Sequence, residues 1–91
     1  MKVFVEFAHM LTDLTKKTSF WVEIPGEGIT LKDFLLKTLP NEIGEEASNR
    51  IFELFNRKEI FVFVNGRVVW ELDHMLNDLD KIYFIKIAFG G

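Results

Sequence analysis

The feature that most constrains the fold is a β-hairpin encoded between residues 60 and 70. Residues 60 to 64 read I-F-V-F-V, a wholly apolar run of strand length, and Asn65-Gly66 follows directly. A two-residue type I′ turn requires positive φ at both central positions, which Asn and Gly adopt most readily. The segment from Arg67 to Trp70 then predicts the returning strand. The middle of the chain is therefore predicted to belong to a β-sheet.

Three further segments have the pattern of strands. Residues 2 to 8 and 19 to 24 alternate between two sets of side chains, as a half-buried strand does. Residues 81 to 88 form a final apolar run. The polar residues 12 to 18 predict a loop, and Asp78-Leu79-Asp80 predicts a turn in which the aspartate side chains bind the backbone.

Two helices are predicted between these strands. Residues 30 to 33 have the hydroxyl-then-carboxylate spacing of a capping box, and a helix over 31 to 39 follows until Pro40 stops it. A second helical pattern extends from about 42 to 56. The order of elements indicates an α+β fold, in which a mixed sheet packs a helix on a single face, within one domain of residues 1 to 91.

The helix covers only one face of this sheet. We assign the aliphatic side chains of each strand to the covered face, which leaves aromatic residues on the opposite, open face: Phe4, Trp21, Phe61 and Phe63. In the last strand the same logic places Tyr83, Ile85 and Ile87 inside, and Ile82, Phe84 and Lys86 outside. An uncovered face rich in aromatics is typical of a docking surface for another protein. The alternatives are a wrong phase in one strand, or a loop over 9 to 18 that folds across the face.

Composition argues against several kinds of function. The net charge is −3, without a basic stripe that would neutralise a phosphate backbone, so nucleic acid is not expected as a partner. The chain has no cysteine, hence neither a disulfide framework nor a zinc knuckle, and no metal site is predicted. The apolar N-terminal run is interrupted by Glu6 and His9, unlike a signal peptide or a membrane span. We therefore expect a cytoplasmic protein without membrane contact.

The last two residues, Gly90-Gly91, suggest a chemical role for the C-terminus. A glycine carboxylate has no Cβ, so it can pass through a narrow channel and present its oxygens to a nucleotide phosphate in a partner enzyme. A terminal diglycine is a weak motif by itself, and its interpretation depends on the rest of the sequence. A terminus that is threaded must first be unpaired, so residues 89 to 91, which begin with Phe89, are expected to form a flexible tail.

Five segments together resemble the MoaD-type small subunit of molybdopterin synthase, a ubiquitin-like β-grasp sulfur carrier related to the ThiS carriers of thiamine synthesis. They are V-F-V-E-F-A at 3 to 8, I-T-L-K-D-F-L at 29 to 35, V-N-G-R-V-V at 64 to 69, D-H-M-L-N-D-L-D-K-I at 73 to 82, and Gly90-Gly91. They span nearly the whole chain in the family's order. The resemblance implies a ubiquitin-like β-grasp fold with an extra short helix. Length favours the molybdopterin type, because the thiamine carriers are generally shorter.

The resemblance also implies a carrier rather than an enzyme. An ATP-using, E1-like (MoeB-like) enzyme would adenylate the Gly91 carboxylate, and a sulfur donor would then convert it to a thiocarboxylate. The tail would next enter the large, MoaE-like subunit of molybdopterin synthase and donate its sulfur to a pterin precursor. ATP is needed because carboxylate oxygen is a poor leaving group, whereas the phosphate of an acyl adenylate leaves easily. The carrier itself would hold no cofactor, and catalytic side chains are expected on the partner.

Two positions depart from the family's pattern. Leu79 stands where the family usually has glycine between two acidic residues, which implies a turn without positive φ at this position. Lys86 and Ile87 stand where prolines commonly precede the tail, which suggests that the final strand stays paired further toward the terminus.

Other functions use the same residues and stay open. A ThiS-like carrier would serve thiazole synthesis, and a ubiquitin-like protein modifier would pass the adenylated carboxylate to a lysine amine. A plain binding module would use the aromatic face alone, and its diglycine would be incidental.

For the aromatic face we expect Phe61→Ala and Phe84→Ala to weaken partner binding more than they destabilise the fold. Denaturant unfolding measured beside a partner-binding assay separates the two effects. A loss of about 3 kcal/mol or more of stability in both variants would show that the rings are buried instead.

Overall fold

A computed structural model describes residues 1 to 87 of the chain. The strands are β1 Lys2–Phe7, β2 Ser19–Glu23, β3 Ile29–Thr30, β4 Ile60–Val64, β5 Arg67–Val68, β6 Met75–Leu76 and β7 Lys81–Lys86. The helices are α1 Thr12–Thr15, α2 Leu31–Asp33, α3 Leu39–Ile43 and α4 Glu45–Asn56. A 3-10 turn at His9–Leu11 precedes α1, and a π-helical segment at Phe34–Thr38 joins α2 to α3. We call this joined helix, over 31 to 43, the central helix.

Five strands form one mixed sheet in the order β2-β1-β7-β4-β5. β1 and β7 run parallel to each other, and the other neighbouring pairs of this sheet are antiparallel. β3 and β6 form a separate two-stranded ladder. The sheet packs the central helix and α4 on one face. The predicted α+β architecture, a mixed sheet covered on one face, is therefore confirmed, and the extra helix is α4.

The core lies between this face and the helices. In β1 and β4 the buried side chains are those predicted to face the helix, namely Val3, Val5, Phe7, Ile60, Val62 and Val64. The helices contribute a matching apolar surface: Leu31, Phe34, Leu35, Leu39, Ile51, Leu54 and Phe55. Burial of this kind contributes about 25 cal/mol for each Å² of apolar surface removed from water.

The hairpin between β4 and β5 forms as its sequence predicts. Asn65 has φ 51° and Gly66 has φ 84°, the positive values that a type I′ turn requires. Val64 pairs with Arg67 across the turn. The returning strand is regular only over Arg67–Val68, although the Val69 N–H still donates to the carbonyl of Val62 at 2.8 Å.

The central helix begins as predicted and ends later than predicted. Its N-cap is Thr30, whose Oγ1 accepts a hydrogen bond from the Asp33 N–H at 3.1 Å. Pro40 does not stop the helix, so this prediction was wrong. After the π-helical segment Pro40 lies in the first turn of α3, where its missing N–H removes no helical bond. The helix ends instead at Gly44, which has φ 89°.

Residues 9 to 18 are not the simple polar loop predicted over 12 to 18. They contain a 3-10 turn and α1, and Leu11 and Thr15 are buried. Leu14 packs against the core, and Lys17 Nζ lies 3.4 Å from Glu42 Oε2 beside the central helix. This segment therefore folds on the helix side of the sheet and leaves the aromatic face uncovered.

The turn between β6 and β7 also departs from prediction. Leu79 adopts φ 67°, so the expectation of a turn without positive φ was wrong. The turn is held against β1 by two bonds to Lys2, whose N–H donates to Asp78 Oδ1 at 2.8 Å and whose carbonyl accepts from the Leu79 N–H at 2.7 Å. Asp80 Oδ2 accepts from the Asn77 N–H at 2.8 Å, which confirms the predicted backbone role of the aspartates. These bonds maintain a conformation that leucine disfavours.

We expect Leu79→Gly to raise the free energy of unfolding by about 1 kcal/mol, because glycine adopts positive φ without a Cβ clash. The Leu79 side chain is 56% exposed, so little packing is lost. Urea denaturation measures the effect. Leu79→Ala is the matched control, since alanine keeps the Cβ and should leave stability nearly unchanged. A glycine variant less stable than the alanine variant would contradict the expected strain.

Candidate functional site

The predicted reactive residue, Gly91, lies outside the residues that the structure describes, and so do Phe89 and Gly90 of the predicted tail. The last described residue is Ile87, and its N–H donates to the carbonyl of Glu59 at 2.9 Å. One residue earlier, Lys86 pairs with Ile60 in the β4–β7 ladder. We call Lys86, Ile87 and Glu59 the tail root. Pairing with the β4 side thus continues to Ile87, one of the two positions where the family commonly has proline.

Glu59 is itself fixed in place. Its N–H donates to the carbonyl of Leu54 at 2.9 Å, and its Oε2 lies 2.7 Å from Arg57 Nε. Arg57 also reaches Glu53 Oε1 at 3.0 Å. Because these ion pairs are exposed, each contributes less than about 1 kcal/mol. Their effect is geometric, since they join the end of α4 to Glu59, which lies just before β4 and accepts the hydrogen bond from Ile87.

The open face of the sheet carries the aromatic residues predicted for it. Phe4, Phe61 and Phe63 are half-buried, and Trp21 is 51% exposed. Strand pairing places Phe4 opposite Trp21, with ring centroids 5.1 Å apart. The placement of these four side chains agrees with the sequence analysis. Their role in binding a partner stays a prediction.

Phe84 does not belong to this face, and its assignment was wrong. The ring is fully buried and lies 5.1 Å from the ring of Phe7, centroid to centroid, in the core. Ile82 is buried as well, whereas Tyr83 and Ile85 are half-buried on the open face. The phase assigned to β7 was therefore inverted over these residues. A fully buried Phe84 cannot contact a partner without unfolding.

The error has a physical cause. β7 reads K-I-Y-F-I-K, which is apolar on both sides, so alternation in this strand alone does not define its phase. The hydroxyl of Tyr83 was a usable signal, because a tyrosine oxygen usually needs a hydrogen-bond partner and favours a wet position. Cross-strand pairing gives the same answer, since Phe84 lies opposite Val62, a core residue.

Sequence reasoning also missed three residues of the open face and its rim: Trp70, Tyr83 and Ile85. The Trp70 ring lies 5.4 Å from Phe61 and 5.9 Å from the buried ring of Phe55, so it joins the rim of the face to the core. Phe61 and Phe63 are 6.0 Å apart, and Phe63 and Tyr83 are 6.4 Å apart. These contacts make a continuous aromatic row that ends beside the tail root. The position of Trp70 at the end of the predicted returning strand was the available signal.

Among residues 1 to 87, no group of three or more histidine, aspartate, glutamate or cysteine side chains is placed to hold a metal ion. Within the same range, no helix has both the length and the apolar composition needed to cross a membrane.

No family model and no curated protein matches this chain. Solved structures do match it. Small archaeal modifier protein 1 from Haloferax volcanii matches with a TM-score of 0.71 and 18% identity, over 100% of both chains. A putative molybdopterin converting factor subunit 1 from Pyrococcus furiosus matches with a TM-score of 0.69 and 18% identity, over 97% of this chain and 99% of that one.

A third match is the complex of subunits 1 and 2 of the molybdopterin-converting factor from Helicobacter pylori. Its matching chain has a TM-score of 0.61 and 21% identity, with 100% of both chains covered. At these identities the likeness establishes the fold. The predicted resemblance to MoaD-type proteins is thereby confirmed at the level of the ubiquitin-like β-grasp fold.

We expect Phe84→Ala to lower the free energy of unfolding by about 3 to 5 kcal/mol, because it leaves a cavity beside Phe7. Phe61→Ala, at a half-buried position, is expected to cost clearly less. Guanidinium denaturation measures the free energy of unfolding of both variants. The comparison is direct, because the substitution is chemically the same in two neighbouring strands. Equal losses would contradict the assignment of the two rings to opposite faces.

Proposed function

We propose that this protein is a sulfur carrier of the MoaD/ThiS type, the small subunit of a molybdopterin synthase. In this proposal an ATP-using, E1-like enzyme adenylates the Gly91 carboxylate, and a sulfur donor converts it to a thiocarboxylate. The tail then donates that sulfur to a pterin precursor in a MoaE-like large subunit. The carrier supplies no catalytic side chain of its own, and it acts in the cytoplasm.

The observation that carries the proposal is the position of β7. This strand lies between β1 and β4 and pairs with both, and Ile87, the last described residue, is still bonded to Glu59 beside β4. Four residues later the sequence reaches Gly91. A short segment that ends in two glycines and starts from a fixed root suits delivery of a carboxylate into a narrow active site.

The chemistry balances with the groups named. A carboxylate oxygen of Gly91 attacks the α-phosphorus of ATP, and pyrophosphate leaves. Hydrosulfide, or a donor equivalent to it, attacks the acyl carbon of the adenylate, and AMP leaves with the electron pair of the broken C–O bond. One proton is released, and the product is an ionised thiocarboxylate. No oxidant or reductant is consumed. These steps need no cysteine in the carrier, and the sequence has none.

The comparisons support a second candidate, a ubiquitin-like protein modifier. The matching protein from Haloferax volcanii is described as a small archaeal modifier protein, and it is covered over its whole length. In that case a lysine amine attacks the same acyl adenylate and forms an isopeptide bond. The two functions share the activation step and differ in the nucleophile that follows it.

We expect intact-mass analysis to show one sulfur in place of one oxygen after incubation with the activating enzyme, MgATP and sulfide. The sequence offers a matched pair of variants. Removal of Gly91 should abolish the mass change, because the Gly90 carboxylate that then ends the chain is one residue too short to reach the activating site. Leu79→Ala, which shortens an exposed side chain in the turn between β6 and β7, should leave it intact.

An unchanged mass with an enzyme that activates another carrier would contradict the proposal. Conjugates of higher mass in cell extracts that depend on Gly91 would favour the modifier over the synthase subunit. A stable complex with a MoaE-like subunit would favour the synthase subunit.

A further inference from the structure

We propose that two copies of this chain pair through the free edge of β2. The two β2 strands run antiparallel about a two-fold axis at Trp21, so that the two five-stranded sheets become one continuous sheet. The occupant of the edge is therefore a second copy of the chain. The inference goes beyond the proposed function, because it involves neither the tail nor an enzyme.

The two edges of the five-stranded sheet, β2 and β5, differ in length. β5 covers only Arg67–Val68, and a very short edge strand is one of the ways in which proteins prevent pairing with another chain. β2 covers Ser19–Glu23, pairs with β1 over five consecutive residues without a bulge, and contains neither proline nor lysine. Within residues 1 to 87, the edge of β2 therefore lacks these protections.

The backbone of β2 offers free hydrogen-bonding groups at alternate residues. Ile24, directly after β2, exchanges two bonds with Met1: its N–H donates at 2.7 Å and its carbonyl accepts at 2.9 Å. Along an antiparallel strand, the residues that bond to a given neighbour alternate with residues whose groups point away from it. The backbone groups that point away from β1 are therefore those of Ser19, Trp21 and Glu23.

This pattern is self-complementary about Trp21. With Trp21 opposite the same residue of the second copy, Ser19 stands opposite Glu23, and each of these pairs exchanges two backbone bonds. A shift by one residue would place outward groups opposite inward ones and turn the side chains to the wrong face. A shift by two residues would leave groups unpaired at both ends. One register therefore satisfies the whole edge.

The side chains of β2 suit this register. Trp21 is exposed, and its contacts among the described residues come from β1: the Phe4 ring lies 5.1 Å away between centroids, and Lys2 Nζ lies 5.0 Å from the ring centroid. Part of the ring is thus free to meet the ring of the second copy, and aromatic cross-strand pairs stabilise sheets. Glu23 stands opposite Ser19, so like charges do not face each other directly.

Among the strands of a second copy, β2 offers the matching edge. Within residues 1 to 87, β1, β4 and β7 each have a neighbour on both sides, and β3, β5 and β6 have two residues each. Pairing of β2 with itself closes about a two-fold axis, so assembly ends at a dimer. Five strand residues span about 17 Å. The contact is therefore smaller than the about 800 Å² per partner of a stable complex, and we expect a weak dimer.

Sedimentation equilibrium of the full-length protein, between about 20 µM and 1 mM, tests this pairing in the range expected for a weak dimer. The average mass should rise from that of the 10.7 kDa chain toward twice this value. Trp21→Lys and Trp21→Glu each place like charges opposite one another, so each should raise the dissociation constant by about ten-fold or more. An equimolar mixture of the two variants should restore the dimer, because lysine then faces glutamate. Val68→Lys, on the edge of β5, is the matched control and should associate like the wild type.

Hydrogen exchange of the wild type decides the question if the Trp21 variants unfold. The amides of Ser19, Trp21 and Glu23 should exchange more slowly as the protein concentration rises, whereas the amide of Val68 should not change. A wild type that stays monomeric at about 1 mM overturns the inference. So does a Val68→Lys variant that dissociates as much as Trp21→Lys, or a mixture of folded Trp21 variants that does not associate. The proposed function stands in each of these cases.

Discussion

The parallel pairing of β1 with β7 is the interaction on which the rest of the structure depends. It joins the first strand of the chain to the last and places both inside the sheet, with β2 and β4 outside them. Its start is secured by the turn at Leu79, whose N–H donates to the Lys2 carbonyl at 2.7 Å, and by the bond from the Phe4 N–H to the Asp80 carbonyl at 2.9 Å. The last strand is therefore central in the sheet and is paired with a neighbour on each side.

Local chemistry made much of this fold predictable. The Asn65-Gly66 turn, the Thr30 cap and the alternation in β1 and β2 depend on residues close together in sequence, and the structure confirms them. The end of the central helix was not predictable in this way. Pro40 stops a helix only if its missing N–H removes a hydrogen bond. Because a π-helical segment precedes it, Pro40 lies in the first turn of α3, where no such bond is lost. A π-helical segment has no reliable sequence signal, because it is stabilised by packing.

The phase of β7 shows the same limit for the candidate site. A strand with apolar residues on both sides can be turned over without losing local pattern, so only its neighbours define which side is buried. Val62 opposite Phe84 and Phe63 opposite Tyr83 supply that information in the folded protein. Four of the five predicted aromatic residues nevertheless lie on the open face, because charged residues mark that side of β1 and β2, and in β4 the aliphatic and aromatic side chains alternate.

The two departures from the family's pattern lie just before and at the end of β7, and backbone bonds explain why both are compatible with the fold. At the start, Leu79 accepts positive φ because hydrogen bonds to Lys2 hold the turn regardless of the side chain. At the end, Ile87 in place of proline adds a backbone bond to Glu59. The first departure costs strain, and the second extends pairing by a residue that proline would leave unpaired. The strand therefore keeps its place in the sheet, and backbone pairing reaches Ile87, the last described residue.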